Sequence, residues 1–149
     1  MAIRIERLRD LVAPDLDDLV ADSERAGLTF VRRLVDEWRD GRNRFDRPGE
    51  ALFGAWVDQR LAGVCGLNVD PYIDDAGVGR VRHLYVLTGS RRLGVGRELV
   101  EQVVRAARGR FTTLRLSTSN PAAARLYEAL GFQPVERGHC THVLPPVPG

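Results

Sequence analysis

Residues 81–108 read VRHLYVLTGSRRLGVGRELVEQVVRAAR, and this stretch decides the fold. Residues 81–87 are apolar and rich in β-branched and aromatic side chains, which predicts a strand, and Thr88-Gly89-Ser90 interrupts that pattern. Residues 94–108 predict a long amphipathic helix, because apolar side chains recur at every fourth position. These side chains are Val95, Leu99, Val103 and Ala107. The stretch is therefore expected to form a strand, a short turn and a helix.

The turn at Arg91-Arg92-Leu93-Gly94-Val95-Gly96 has the composition of an anion site. Glycines let backbone N–H groups approach a ligand closely, and a helix N-terminus adds unpaired N–H groups and partial positive charge. These features suit a pyrophosphate. A dinucleotide-binding fingerprint would need glycine in place of Leu99, and a P-loop would need lysine, whereas all 22 basic residues are arginine. Two glycines alone are also compatible with a plain strand-to-helix turn.

The remaining patterns predict a single α/β domain over residues 1–149. Strands are expected at 3–8, 51–57, 61–69 and 111–116, with one or two short strands after residue 131. Helices are expected at 14–26 and 29–40, and a further helix is opened by Asn120-Pro121 and ended by Gly131. Residues 42–49 and 70–79 are expected to be loops. Elements in this order predict a mixed sheet.

The composition, 44% apolar and 28% charged, is typical of a globular chain. No apolar run approaches the roughly 20 residues that span a bilayer, and the first residues lack the layout of a signal peptide. A cytoplasmic location without membrane contact is therefore expected. A net charge of +2 is too small to argue for nucleic acid by itself, and no nucleic-acid partner is expected. Cys65 and Cys140 are expected to be buried free thiols, neither disulfide-bonded nor bound to a metal.

Two segments together resemble the GNAT superfamily of GCN5-related N-acetyltransferases. Arg91-x-x-Gly94-x-Gly96, preceded by Leu84-Tyr85-Val86, is similar to that superfamily's acyl-CoA pyrophosphate motif. Residues 120–132, NPAAARLYEALGF, are similar to its segment of Asn, then Leu-Tyr, then Gly-Phe. The resemblance implies a mixed, mostly antiparallel sheet of six or seven strands flanked by about four helices. It also implies direct transfer of an acetyl group from acetyl-CoA to a primary amine, with no metal.

The resemblance also implies roles for particular residues. The backbone of Leu84 and Val86 would pair with the pantetheine arm of CoA, on a strand that splays from its neighbour. The cofactor would further contact Asn120 and the loop residues Arg91, Arg92, Leu93, Gly94, Val95 and Gly96. Tyr127 would protonate or stabilise the leaving thiolate. Each side chain also has a simpler interpretation: core packing for Leu84, Val86 and Tyr127, and a helix N-cap for Asn120.

The general base is not determined by the sequence. Family members often carry Glu or His where this chain has Arg80 and Arg82, and arginine cannot act as a base. On a regular strand His83 would point to the opposite face, which favours a packed or surface histidine. A water relay to Asp70, Asp74, Asp75 or Glu37 stays open. Arg80 and Arg82 are expected either to hold an acceptor carboxylate or phosphate, or to pair with aspartates of the 70–75 loop.

An alternative function is a non-catalytic module that binds acyl-CoA as a sensor, which the missing base favours and Tyr127 disfavours. The identity of the acceptor amine, small molecule or peptide, does not follow from the sequence. Neither does the oligomeric state, monomer or homodimer.

Overall fold

The computed structural model describes residues 2–11 and 15–146 and contains seven strands and four helices within them. The order is β1 (Ile3–Arg7), α1 (Asp15–Arg25), α2 (Phe30–Asp40), β2 (Ala51–Val57), β3 (Arg60–Val69), β4 (Val78–Val86), α3 (Val95–Ala107), β5 (Thr113–Leu116), α4 (Pro121–Ala129), β6 (Gln133–Arg137) and β7 (Cys140–Leu144). A single 3₁₀ turn, Thr88–Ser90, follows β4. These elements confirm the predicted fold class. The predicted helix start at residue 14 lies outside the described residues.

The seven strands form one mixed sheet in the order β1-β2-β3-β4-β5-β7-β6. Its only parallel pair is β4 with β5, and all other neighbours are antiparallel. The parallel pairing is short, since Val78, Gly79 and Arg80 face Thr113, Leu114 and Arg115 and the ladder then ends. From residue 81 onward β4 has no partner on that side within the described chain. The two strands therefore splay, as expected.

Helices cover both faces of this sheet. On one face α3 contributes Leu99, Val100 and Val103, which are fully buried against the sheet core. On the other face α1 and α2 form a second core, to which α2 contributes Val31, Leu34 and Val35. None of the described helices is long and apolar enough to cross a membrane.

Strand β4 begins earlier than the sequence indicates. It starts at Val78, whereas residues 70–79 were predicted to be a loop because of their glycines and aspartates. The N–H of Asp70 donates to the carbonyl of Val78 (2.9 Å), so the loop closes sooner. Gly79 belongs to the strand and packs closely against β5. A Cβ there would lie 2.8 Å from a Leu114 methyl group. This glycine permits close packing and does not mark a turn.

A β-bulge interrupts β4 at His83. The register with β3 shifts between Val64 and Gly66, and His83 has a φ of 60°. The expectation that His83 points away from the face of its neighbours is therefore wrong, because it assumed a regular strand. The imidazole packs on the α2 side of the sheet, with ring centroids 6.4 Å from Phe30 and 6.2 Å from Phe45. The interpretation of His83 as a packed histidine is confirmed.

The contact of α3 with β3 depends on a missing side chain at Gly63. A Cβ there would lie 2.9 Å from the Tyr85 carbonyl oxygen and 3.1 Å from Leu99. We expect Gly63→Ala to lower the free energy of unfolding by about 1–3 kcal/mol, the usual cost of overpacking. The control is Gly89→Ala, where nothing lies within 4 Å, and it should change stability by less than about 0.5 kcal/mol. Urea unfolding measures both, and equal stabilities would contradict the packing argument.

Candidate active site

A cleft of about 830 Å³ opens where β4 and β5 diverge. Its walls come from β4, the turn before α3, the first residues of α3, residues 117–120 and α4. The volume lies in the range of small-molecule sites. All but one of the residues expected to contact the cofactor, the acceptor or the leaving thiolate line this cleft. They are Arg80, Arg82, Leu84, Val86, Arg91, Arg92, Gly94, Val95, Gly96, Asn120 and Tyr127. Leu93 does not line it, and its side chain is 40% exposed.

The turn before α3 presents a row of unpaired backbone donors. Within the described chain, the N–H groups of residues 92–97 find no acceptor. Gly94 caps the helix with a φ of 85°, a left-handed conformation that glycine adopts without steric cost. The positive end of the α3 dipole adds to these donors. The row can bind an extended anion with several oxygens.

The edge of β4 beside the cleft also has unpaired backbone groups. The N–H of Leu87 donates to Ala62 on β3 (2.8 Å), so the backbone groups of Val86 point the other way, into the cleft. The Val86 carbonyl accepts from Arg91 Nε (3.2 Å), whereas its N–H has no recorded acceptor among the described residues. The side chains of Leu84 and Val86 pack against the core. Core packing by the side chain and a free backbone edge therefore coexist, as the sequence allows.

A carboxylate on α1 anchors the start of the turn. Asp22 Oδ2 accepts from the Tyr85 hydroxyl (2.5 Å) and from the backbone N–H and hydroxyl of Thr88 (3.1 and 3.0 Å). Burial raises the pKa of Asp22, but the hydrogen bonds from Tyr85 and Thr88 outweigh it and lower the pKa overall. Asp22 therefore stays ionised. Sequence reasoning missed this residue, because its partners are more than 60 positions away.

Asn120 caps α4 and faces the cleft at the same time. Its side-chain oxygen accepts from the N–H groups of Ala122 (2.9 Å) and Ala123 (3.4 Å). The predicted N-cap is thus confirmed. The side-chain NH₂ has no recorded partner in the described chain and is available as a donor on the cleft wall.

Tyr127 lies deep in the cleft on α4. Its ring packs edge-on against Phe132 with centroids 5.5 Å apart, and the residue is 5% exposed. No described group hydrogen-bonds to its hydroxyl. Burial, and secondly the nearby Cys65, raise the pKa of Tyr127 far above its ordinary value. The phenol is therefore protonated throughout the neutral range and can donate a hydrogen bond into the cleft.

The two thiols are buried and free, as predicted. Burial raises the pKa of Cys65 to about 12, so it stays a thiol at neutral pH and is a poor nucleophile. Cys140 Sγ, at the start of β7, donates to the His142 carbonyl (3.2 Å). No group of three or more His, Cys, Asp or Glu side chains in the described chain could hold a metal ion.

The charged side chains that line the cleft are all positive. Five arginines line it, and none of its lining residues in the described chain is Asp or Glu. The acids considered for a water relay, Asp70, Asp74, Asp75 and Glu37, are not among the lining residues. The lining histidine, His83, is neutral, because burial lowers its pKa to about 3, helped by the charges of Arg82 and Arg33.

At the base of the cleft one carboxylate lies against two arginines. Asp70 Oδ2 is 3.2 Å from Arg80 Nη1 and 3.7 Å from Arg115 Nε. The expected pairing of Arg80 with an aspartate of the 70–75 loop is therefore present. Arg115 was not singled out in the sequence, although its position between Leu114 and Leu116 places it on the opposite face of β5. Arg82 has no hydrogen-bond or ion-pair partner among the described residues.

The sequence model of the Acetyltransferase (GNAT) family matches residues 13–132. This chain belongs to the GNAT acetyltransferase family. Among solved structures, a protein from Exiguobacterium sp. 255-15 that is named as an acetyltransferase is 30% identical, with a TM-score of 0.87 over 97% of this chain and 94% of that one. A GCN5-related N-acetyltransferase from Kribbella flavida is 19% identical, with a TM-score of 0.70 over 98% of each chain, which shows a shared fold.

A curated relative is the aminoglycoside N(6')-acetyltransferase type 1 of Klebsiella aerogenes, 33% identical over 100 residues. The match covers 63% of this chain and 66% of that enzyme, so just under two thirds of the enzyme's length is matched.

The half-buried His83, whose Nε2 is buried and has no hydrogen-bond partner in the described chain, predicts a specific pH dependence of stability. Its pKa is about 3 in the folded chain and near 6.5 when unfolded. Between these values unfolding takes up a proton, so the free energy of unfolding falls as the pH falls from about 6.5 to about 3. The slope from this one group is at most ~1.4 kcal/mol per pH unit. We expect His83→Asn, which tolerates the left-handed backbone, to lose this part of the slope in urea titrations.

The matched control is His139→Asn, because His139 is exposed and also has a positive φ of 64°. Its stability curve between pH 4 and 6.5 should keep the wild-type slope. Parallel curves for wild type and His83→Asn would mean that His83 takes up no proton on unfolding, contrary to its buried, neutral state.

Proposed function

We propose that this protein is an N-acetyltransferase that transfers an acetyl group from acetyl-CoA to a primary amine. The observation that carries the proposal is the row of unpaired N–H groups at residues 92–97, beside a strand edge that also lacks a partner. A pyrophosphate and an extended amide-bearing arm together complement these two features. The family assignment supports the same reaction.

The residues present fit acetyl-CoA as the acyl donor. The N–H row would bind the pyrophosphate, and the exposed Arg92 adds positive charge at that end. Arg97 also lines the cleft there, with its charge shared with Glu101 (2.9 Å). Arg91 is already bonded to the Val86 carbonyl and braces the loop against β4. The free edge of β4 around Leu84 and Val86 would pair with the pantetheine arm, and the Asn120 amide would donate to it.

Acetyl-CoA supplies an acetyl thioester, and the reaction forms the amide C–N bond, breaks the C–S bond and releases the thiol and one proton. The Val86 N–H would donate to the thioester carbonyl oxygen, where negative charge develops during attack. Tyr127 would donate a hydrogen bond to the leaving sulfur. Its raised pKa makes the phenolate unfavourable, so a shared proton is favoured over complete transfer.

The amine must lose a proton before it attacks, and the cleft offers no carboxylate to take it. The arginines that line the cleft favour this deprotonation, because nearby like charges disfavour the ammonium form and lower the pKa of a bound amine. The proton then passes to water. A non-catalytic acyl-CoA sensor is the competing function, and turnover of any amine decides between them.

Acetylation of aminoglycosides is what the name of the Klebsiella relative states, and it does not transfer readily to this chain. An aminoglycoside carries several ammonium groups, which acidic side chains would be needed to hold. None of the described cleft-lining residues is acidic. We therefore do not extend that acceptor to this protein.

Acetyl-CoA affinity should depend on the missing side chain at Gly96. A Cβ there would lie 3.4 Å from Leu126 and 3.7 Å from Val86, which are ordinary contacts, so a folded Gly96→Val variant is expected. The branched side chain would cover the N–H row, and calorimetry should show binding of acetyl-CoA lost or at least 100-fold weaker, since charged hydrogen bonds contribute about 1.5–3 kcal/mol each. Gly138→Val, in the turn between β6 and β7, is the control. Unchanged affinity for acetyl-CoA in folded Gly96→Val would contradict the assignment of this loop as the pyrophosphate site.

Tyr127→Phe should reduce kcat more than acetyl-CoA affinity. The substitution keeps the ring packing against Phe132 and removes only the donor to the leaving sulfur. Groups that share a proton in the rate-limiting step contribute about 10²–10⁴-fold, which sets the expected decrease. Tyr72→Phe, which removes a hydroxyl outside the cleft, should keep the wild-type kcat. A kcat within twofold of wild type in Tyr127→Phe would show that another group or water assists the thiol.

A further inference from the structure

The base of the cleft, where β4 and β5 part, holds more positive than negative charge. Arg80, Arg115 and Asp70 form one cluster in which the side chains are 8%, 8% and 0% exposed. Two guanidinium groups and one carboxylate have a sum of one positive charge. Arg82, also on β4, adds a second positive charge that has no recorded partner in the described chain.

Backbone carbonyls satisfy part of this cluster without neutralising it. Arg80 Nη2 donates to the His139 carbonyl (2.5 Å), and Arg115 Nη2 donates to the Gly138 carbonyl (3.4 Å). Arg115 Nε is fully buried and has no hydrogen-bond partner within the described chain. The carboxylate of Glu50, another buried acid, accepts from the N–H groups of Arg47 and Val69. It is in no recorded ion pair in the described chain, so it does not neutralise the cluster. A buried charge without a counter-charge is costly, so an anion would stabilise this cluster.

The geometry points to an acceptor amine that also carries an anionic group, a carboxylate or phosphate, bound by Arg82 in front of the buried Arg80–Asp70–Arg115 cluster. This inference rests on the proposed N-acetyltransferase function. Arg82 is the ligand, because it lines the cleft and its guanidinium is unpaired. Arg80 is a positioning residue, since Asp70 and the His139 carbonyl already fix its orientation.

The other arginines of the cleft do not compete for this role. Arg91, Arg92 and Arg97 belong to the turn and to the first turn of α3, at the end that would receive the phosphates of CoA. Arg80 and Arg82 precede the bulge at His83, at the opposite end of the unpaired edge. Positions two apart on a regular strand lie on one face, about 7 Å from each other. One anionic group therefore faces both charges.

Stacked rings outside the cleft brace the Arg80 side chain. The Tyr72 and His139 rings are parallel, with centroids 4.2 Å apart and an interplanar angle of 3°. The Arg80 guanidinium carbon lies 4.7 Å from the centroid of Tyr72. This stack joins the β3–β4 loop to the β6–β7 turn and, with Asp70 and the His139 carbonyl, fixes the orientation of Arg80.

The test compares acceptors that differ only in the acidic group. The pairs are 4-aminobutyrate with 4-aminobutanamide, and phosphoethanolamine with ethanolamine, with spermidine as a polycation. Wild type should prefer the acidic member of at least one pair about 10- to 100-fold in kcat/KM, the range for a hydrogen bond to a charged group. The pair with the larger ratio distinguishes carboxylate from phosphate. Preference for spermidine or for the neutral member of both pairs would overturn the inference.

Substitutions at Arg82 test whether this residue causes the preference for acidic acceptors. Arg82→Gln should raise KM for the acidic acceptor about 10- to 100-fold more than KM for the neutral acceptor, while KM for acetyl-CoA stays within about twofold. Arg82→Lys keeps the charge and should recover most of the loss. Arg4→Gln, on edge strand β1 and three strands from β4, is the control for net charge. An equal decrease for acidic and neutral acceptors in Arg82→Gln would show a structural role only.

Binding measured without turnover separates the two proposals. With CoA saturating the phosphate end, inorganic phosphate should raise the melting temperature of wild type more than sodium chloride of equal ionic strength does. The difference should disappear in Arg82→Gln and persist in Arg4→Gln. A melting shift without turnover of any amine would reject the N-acetyltransferase and keep the anion site. Turnover of amines with no preference for acidic acceptors and no phosphate-induced rise in melting temperature would reject the anion site and keep the N-acetyltransferase.

Discussion

The geometry of the cleft depends on how two like charges are held side by side at the point where β4 and β5 part. Arg80 and Arg115 are partners in the last pair of the parallel ladder, and directly opposed like charges are destabilising. Asp70 lies against both and offsets their repulsion. Beyond this pair the ladder ends, and the unpaired β4 edge and the cleft follow from that divergence. One buried carboxylate thus stabilises the vertex from which the cleft opens.

The charge of the cleft is divided between two ends by the chain's own geometry. At one end the donors are backbone N–H groups fixed by Gly94 and the start of α3, so their number does not depend on side-chain rotamers. At the other end the donors are guanidinium groups, one without a recorded partner in the described chain and two held by Asp70. The first arrangement suits a ligand common to a whole family. The second depends on side chains, of which Arg82 can be replaced without removing a recorded hydrogen bond or ion pair of the described chain.

The sequence predicted most of the fold, because residues 81–108 and 120–132 carry local signals for a strand, a glycine turn and capped helices. It predicted the wrong start for β4, since Gly79 provides close packing to Leu114 and was read as part of a turn. The bulge at His83 has no local signal, because histidine is not a residue that requires a positive φ. Asp22 and Arg115 act through partners distant in sequence, so only the folded chain brings them to the site.

The hydrogen bonds of Asp22 connect the two sides of the cleft mechanically. Its carboxylate joins α1 to Tyr85 on β4 and to Thr88 before the phosphate-facing turn. Leu28 and Phe30, just after α1, form part of the opposite wall. A ligand that shifts this wall also changes the strain on the turn, and thermodynamic linkage makes the effect reciprocal. One hydrogen-bonded carboxylate is thus a direct link through which a ligand at the wall and a ligand at the turn can change each other's affinity.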